Sequence, residues 1–140
     1  MQLKLLYPQS FWVGIGCQKG ISSQFIQESI EKVFQEYQLI QNNMTGIATI
    51  DSKTSELGLI EYCHLHNLPI KFFTAAILAT VSVPNPAQIT QKSVGTPSVA
   101  EASAILAASK HTSRSGTLLV PKQIMKLPEK VGMLTLAIAH

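Results

Sequence analysis

Phe11-Trp12-Val13-Gly14-Ile15-Gly16-Cys17-Gln18-Lys19-Gly20 is the stretch on which the fold depends. Its first seven residues form an apolar run broken only by glycine and read as a buried strand. Gln18 to Ile21 turns the chain, and Ser22 or Ser23 supplies a cap for the helix after the turn. From Gln24 to Gln38 the apolar residues Ile26, Ile30, Val33, Phe34 and Tyr37 fall on one helical stripe. Gln27, Glu28, Glu31, Lys32 and Gln35 fill the other face, with Glu28 and Lys32 spaced for an i,i+4 pair.

Working outward, Thr45 to Ile50 reads as a second strand that ends at Asp51-Ser52-Lys53. A helix from about Ser55 to His66 comes next and is stopped by Asn67-Leu68-Pro69. Ile70 to Thr74 is a third strand, and Ala75 to Val81 makes one or two helical turns. Pro84-Asn85-Pro86 breaks the chain, and Ala87 to Thr96 is polar and irregular. Pro97 suits a first helical turn, opening an alanine-rich helix from Ser98 to Ser109. Its small side chains would let it lie close to a sheet. After a polar turn from His111 to Gly116, Leu118-Leu119-Val120 and Met133 to Ile138 read as strands. The short linker from Lys126 to Lys130 lets these two pair antiparallel.

Strand–helix–strand–helix–strand in the first half means right-handed crossovers and parallel pairing. The closing pair adds an antiparallel edge. The expected fold is therefore α/β, a three-layer α/β/α sandwich with a mixed, mostly parallel sheet of about five strands. A single domain over Met1–His140 is expected, since 140 residues fit one domain and no repeat or linker divides them.

Composition narrows the function classes. The chain is 46% hydrophobic with a mean hydropathy of +0.20, and only 14% of its residues are charged, the reverse of a disordered chain. Net charge is +3, but the lysines are scattered and Arg114 is the only arginine, which argues against a nucleic-acid interface. A mildly positive field suits a small polyanionic ligand. Cys17 and Cys63 are too few for a disulfide framework. Met1 to Gln9 lacks the apolar core of a secretory signal, and no apolar run approaches the ~20 residues of a membrane span. A cytoplasmic protein with reduced thiols and no membrane partner is expected.

In an open α/β sheet, ligands bind beyond the carboxyl ends of the strands. That places Cys17 to Gly20, Asp51 to Lys53, and Thr74 on a common rim. Gly14, Gly16 and Gly20 would let the backbone approach a ligand, and the N–H groups of the turn with Cys17 and Gln18 favour an anion. The dinucleotide fingerprint fails here by one extra residue, and Asp51 comes 31 positions after Gly20 rather than ~20. The phosphate loop fails because Lys19 precedes Gly20 instead of following it. Cys63 and His66 share a helix face, but His64 points away and no further ligands complete a metal site. Ser98 lacks a nucleophile elbow. Thr96 and Ser98 fit better as helix-start hydroxyls touching a ligand carboxylate, and Ser98-x-x-Glu101 has the spacing of a capping box. Lys53 and Lys122 are the cations expected to reach the rim. No metal and no cofactor are expected.

Four ordered blocks carry a family resemblance. They are Trp12 to Gly20; Thr45 to Lys53 with Glu56 and Gly58; Gly95-Thr96-Pro97-Ser98-Val99-Ala100-Glu101-Ala102; and Leu119 to Gln123 with Leu134 to Ala139. Together they resemble the CobE / CbiG C-terminal domain family of cobalamin biosynthesis. The resemblance implies an α/β/α domain acting on corrin-ring intermediates, precorrins or cobalt-precorrins, around ring contraction. In that family the longer CbiG proteins open a cobalt-precorrin lactone and release acetaldehyde, and they carry additional domains upstream. The short CobE-like members share the pathway. The expectation is a protein that binds a corrinoid, or tetrapyrrole, intermediate, with Lys53 and Lys122 holding carboxylates on the macrocycle edge. The alternative is a free-standing lactone hydrolase with Glu101 or Asp51 as base. Docking on a corrin-pathway methyltransferase is a further expected role.

Overall fold

The computed structural model describes residues 10–84, 98–112, 116–126 and 132–140. Thr96, Pro97 and the irregular stretch before them lie outside the described residues, as do 127–131 of the second linker.

β1 (Phe11–Cys17) is the middle strand of a five-stranded sheet. Side chains alternate across a strand, so Phe11, Val13 and Ile15 enter one apolar core and Trp12 enters the other. The chain then turns into α1 (Ser23–Glu36), where Ser22 is the cap and its hydroxyl accepts from the Phe25 N–H at 3.1 Å. The apolar stripe Phe25, Ile26, Ile30, Val33 and Phe34 is buried against the sheet. Glu28 is joined one turn back to the Gln24 amide, at 3.1 Å, rather than forward to Lys32. The helix ends as Gln38 adopts a left-handed φ of 57°.

A short 3-10 turn (Gln41–Asn43) leads into β2 (Met44–Ile50), and a second one (Asp51–Lys53) leads toward α2 (Leu57–Leu65). β3 (Ile70–Phe73) and the single turn α3 (Ala75–Leu78) come next. α4 (Val99–Thr112), β4 (Leu118–Lys126) and β5 (Met133–Ala139) complete the fold. The sheet order is β3-β2-β1-β5-β4. β1, β2 and β3 pair in parallel, while β5 runs antiparallel to both β1 and β4. β4 therefore points the same way as the first three strands, and the antiparallel strand sits inside the sheet rather than at its edge. No described helix is long and apolar enough to cross a membrane.

β4 differs from the expected strand. It does not stop at Val120 but continues through Pro121 to Lys126. Pro121 falls where the register slips between Val120 and Gln123, on an edge strand. A bulge at an edge is where the sheet tolerates a residue without an N–H.

α1 and α2 cover one face, through Ile26, Ile30, Phe34, Leu59 and Tyr62. α4 covers the other with Ala102, Ala104, Ala107 and Ala108, all fully buried. Alanine alone does not bring it close enough. A β-carbon at residue 14 would lie 1.9 Å from the Ala100 carbonyl oxygen and 2.8 Å from the Ala104 nitrogen. Gly14 thus serves the contact of helix backbone with strand backbone. Ser103, buried at the same contact, donates its hydroxyl hydrogen to the Val99 carbonyl at 2.6 Å.

Candidate functional site

The topology puts the carboxyl ends of β1, β2, β3 and β4 along one edge of the sheet, with the start of β5 among them. At ~4.8 Å between strands, five strands give a rim roughly 19 Å wide. Cys17 and Gln18, Asp51 to Lys53, and Thr74 stand on it in the order in which their strands lie. α4 begins there too, since its first residue, Val99, lies against Gly16 and the helix runs back over Gly14. α1 and α2 begin on the opposite face of the same edge. The first turn of α2 is pressed onto the loop before α1, because a β-carbon on Gly58 would lie 2.0 Å from the Ile21 carbonyl oxygen.

Cys17, Gln18, Gly20, Lys53 and Glu56 come together at the end of β1. Burial is the main cause that pushes the Cys17 thiol up to about 11. The Lys53 ammonium pulls it down and the Glu56 carboxylate pushes it up. At neutral pH Cys17 is a protonated thiol, not a thiolate nucleophile. The Gln18 N–H donates to the Met133 carbonyl at 3.1 Å, tying the turn to β5. Gly20 has a φ of +89° and donates its N–H to Glu56 Oε1 at 2.8 Å. Asp51 is exposed, and Lys53 is half-buried with its carbonyl accepting from the Glu56 N–H at 3.0 Å.

Several expected site residues are placed differently. Gly14 lies beneath α4, in contact with its backbone. Gly16 faces Val99 and Thr135, and its carbonyl accepts from the Thr135 hydroxyl at 3.2 Å. Thr74 is exposed, but its hydroxyl accepts from the Ile77 N–H at 3.2 Å and caps α3. Ser98 is 2% exposed, and its hydroxyl accepts from the Glu101 N–H at 3.3 Å. That contact is the half of the capping box the spacing predicts. Thr96 lies outside the described residues.

Glu101 is 0% exposed, and its Oε2 accepts from the backbone N–H of Lys122 at 2.8 Å. The carboxylate therefore ties α4 to the bulge of β4 and presents no open face to a ligand on the rim. Lys122 is half-buried in mid-strand. Cys17 is level with Leu134, and Leu134 with Met125. Three residues earlier, Lys122 lies ~10 Å back from the rim. Lys53 and Lys122 do not converge.

Glu56, Thr135 and Lys126 were not among the expected site residues. Lys126 is the exposed lysine at the rim end of β4, opposite Met133. Reading a strand end at Pro121 hides it. Glu56 and Thr135 fall within the quoted sequence blocks or their closing strand, but only the fold brings them to Gly20 and Gly16. Cys63 is buried, and burial pushes its thiol up to about 11. His66 stacks on Tyr62 with ring centroids 4.4 Å apart. Among the described residues no group of three ligating side chains could hold a metal ion.

Comparison with known proteins points one way. A family model described as "Cobalamin synthesis G C-terminus" matches residues 11–139. A cobalt-precorrin-5A hydrolase from Priestia megaterium is 28% identical over 102 residues, which are 73% of this chain and 27% of that protein. The chain thus spans about a quarter of the length of that curated relative. Among solved structures, CobE, a protein of the cobalamin biosynthetic pathway, superposes with a TM-score of 0.84 at 25% identity, over 95% of this chain and 94% of that one. Cobalamin biosynthesis protein chiG from Agrobacterium tumefaciens gives a TM-score of 0.65 at 26% identity, over 92% and 96% of the two chains. A cobalamin biosynthesis protein G homolog from Sulfolobus solfataricus, 20% identical, shares the fold with a TM-score of 0.68 over 95% of this chain and 37% of its own. With the family model spanning β1 to β5 and a five-stranded α/β fold of the same shape, this chain belongs to the cobalamin synthesis G C-terminal family.

Proposed function

We propose that the chain binds a corrin-ring precursor, a precorrin or cobalt-precorrin of the ring-contraction stage, across the strand-end rim. The observation that carries this reading is the placement of half-buried Lys53 on the strand-end rim where α1, α2 and α4 all begin. A corrin precursor is a flat macrocycle edged with carboxylates. Such an edge needs an open rim and a cation for a charge-assisted hydrogen bond. Lys53 supplies the cation, and Lys126 adds a second at the far end. Binding rather than catalysis is favoured by the state of the candidate reactive groups. Glu101 is enclosed and tied to β4, and Cys17 holds its proton. Handing the intermediate to a corrin-pathway methyltransferase is the step such a carrier would serve.

The similarity to a cobalt-precorrin-5A hydrolase keeps a second reading in view, with exposed Asp51 at the end of β2 as base. Affinity measurements on two lysine variants test the location. Lys53→Ala should weaken corrinoid binding by ~1.5–3 kcal/mol, the worth of a charged hydrogen bond. Lys122→Ala should leave it within a few-fold. Equal affinity in the wild type and Lys53→Ala would remove the rim from the reading.

A further inference from the structure

Glu56 offers no cation to a corrin precursor at the rim, yet its geometry is unusual. It stands at the cap position of α2, where a polar side chain ordinarily turns back onto its own helix. It makes no such bond. Its carboxylate crosses instead to another loop and accepts the Gly20 N–H at 2.8 Å, with the residue only 9% exposed. Gly20 has a φ of +89° with open space where a side chain would be, so its backbone conformation, not a neighbour, requires glycine. The Glu56 N–H is held in turn by the Lys53 carbonyl at 3.0 Å. One residue therefore fastens the loop carrying Lys53 to the loop carrying Gly20.

A glycine turn that opens a helix commonly takes an external anion on its N–H groups. Here two of those groups are already engaged within the protein, Gln18 by the Met133 carbonyl and Gly20 by Glu56. A carboxylate seated on Gly20 excludes a second one, both by occupying the donor and by like-charge repulsion. We propose that Glu56 is an internal carboxylate filling the anion position of the glycine turn. It is the positioning residue that fixes Gly20 against Lys53, and it directs ligand carboxylates to Lys53 rather than to the turn. The clamp stands on the hydrogen bonds of Glu56 to Gly20 and to Lys53; its effect on affinity rests on the proposed binding of a corrin precursor at the rim.

The full chain, labelled with ¹⁵N, allows the Gly20 amide to be followed by NMR in the wild type, Glu56→Ala and Glu56→Gln. Each is titrated with acetate and with inorganic phosphate. Binding of uroporphyrin, a tetrapyrrole with carboxylates on its edge, is measured in parallel. In the wild type the Gly20 amide proton should lie downfield and stay unmoved by either anion. In Glu56→Ala it should shift upfield, and acetate should return it toward the wild-type position. Uroporphyrin affinity should fall several-fold in Glu56→Ala, as Lys53 loses its fixed place beside the turn, and largely recover in Glu56→Gln, which keeps an acceptor oxygen. A wild-type Gly20 amide that titrates with acetate or phosphate overturns the proposal. So does an amide position or a uroporphyrin affinity unchanged in Glu56→Ala. Should the alanine variant fail to fold, Glu56→Gln decides: its Gly20 amide should move upfield on loss of the charged acceptor, and an unmoved amide overturns the clamp. Absence of uroporphyrin binding by the wild type counts against corrin binding at the rim, while the amide titrations still judge the clamp.

Discussion

Replacing Glu101 by alanine removes the acceptor of the Lys122 N–H and leaves that donor at the bulge of β4 without its carboxylate. A hydrogen bond to a charged group contributes ~1.5–3 kcal/mol, and the donor left behind keeps its desolvation penalty. Removing a buried carboxylate also relieves its own desolvation, which offsets part of the loss. The net expectation is ~2–3 kcal/mol of lost stability. For a domain of this size, at ~4 °C per kcal/mol, that is a Tm lower by roughly 10 °C. Glu101→Gln keeps an acceptor oxygen but brings two new donors into a site with 0% exposure, and should fall between the wild type and alanine. Urea unfolding with an unchanged m-value, read beside the Tm, separates a true stability change from a change in the unfolded chain. A Tm lowered by under ~2 °C in Glu101→Ala would refute the tie between α4 and β4 through this carboxylate. Uroporphyrin affinity of the folded variant should stay within a few-fold of the wild type.

Gly14→Ala should cost more than ~2 kcal/mol, because α4 must retreat from a β-carbon 1.9 Å from the Ala100 carbonyl oxygen; a Tm equal to the wild type would show that the helix does not lie on that strand. Iodoacetamide at pH 8 should label Cys17 at least roughly tenfold more slowly than a cysteine of the unfolded chain, because a thiol moved from 9.0 to about 11 loses thiolate faster than its nucleophilicity rises. Mass spectrometry of the labelled peptide reads the rate, and parity with the unfolded chain would contradict it. The same shift has a sign for stability. The unfolded thiol ionises first, so the contribution of Cys17 is intact below pH 9.0 and is lost as pH rises toward about 11. Cys17→Ala should therefore flatten the alkaline fall in stability, and an unaltered slope would argue against it.

How far the fold can be read in the chain depends on which interactions are local. The strand Phe11–Cys17 and the helix Ser23–Glu36 are legible because a buried apolar run and a helical stripe are written within a few residues of each other. Likewise the Ser98 cap needs only a partner three positions on. Pro121 looks like a strand end because the bulge against β5 that absorbs it depends on pairing with a strand further along. Gly14 carries the same lesson. Beside Gly16 and Gly20 it looks like part of a ligand turn, and its neighbour in space, Ala100, is far along the chain. Glu101 is expected to act at its own helix start, and its second partner lies on β4. The rim itself is legible, since Cys17, Asp51 to Lys53, and Thr74 end parallel strands. The expected convergence of Lys53 with Lys122 fails, because register places Lys122 in mid-strand.

The central claim is that this chain holds a corrin precursor on its rim without transforming it. Its most direct test is titration of the purified chain with precorrin and cobalt-precorrin intermediates, followed by visible absorbance, with acetaldehyde assayed in the same samples. The account predicts a saturable spectral shift at one ligand per chain, weakened by Lys53→Ala, and no acetaldehyde. No spectral shift with any intermediate, or acetaldehyde released over many turnovers and lost in Asp51→Asn, would contradict it.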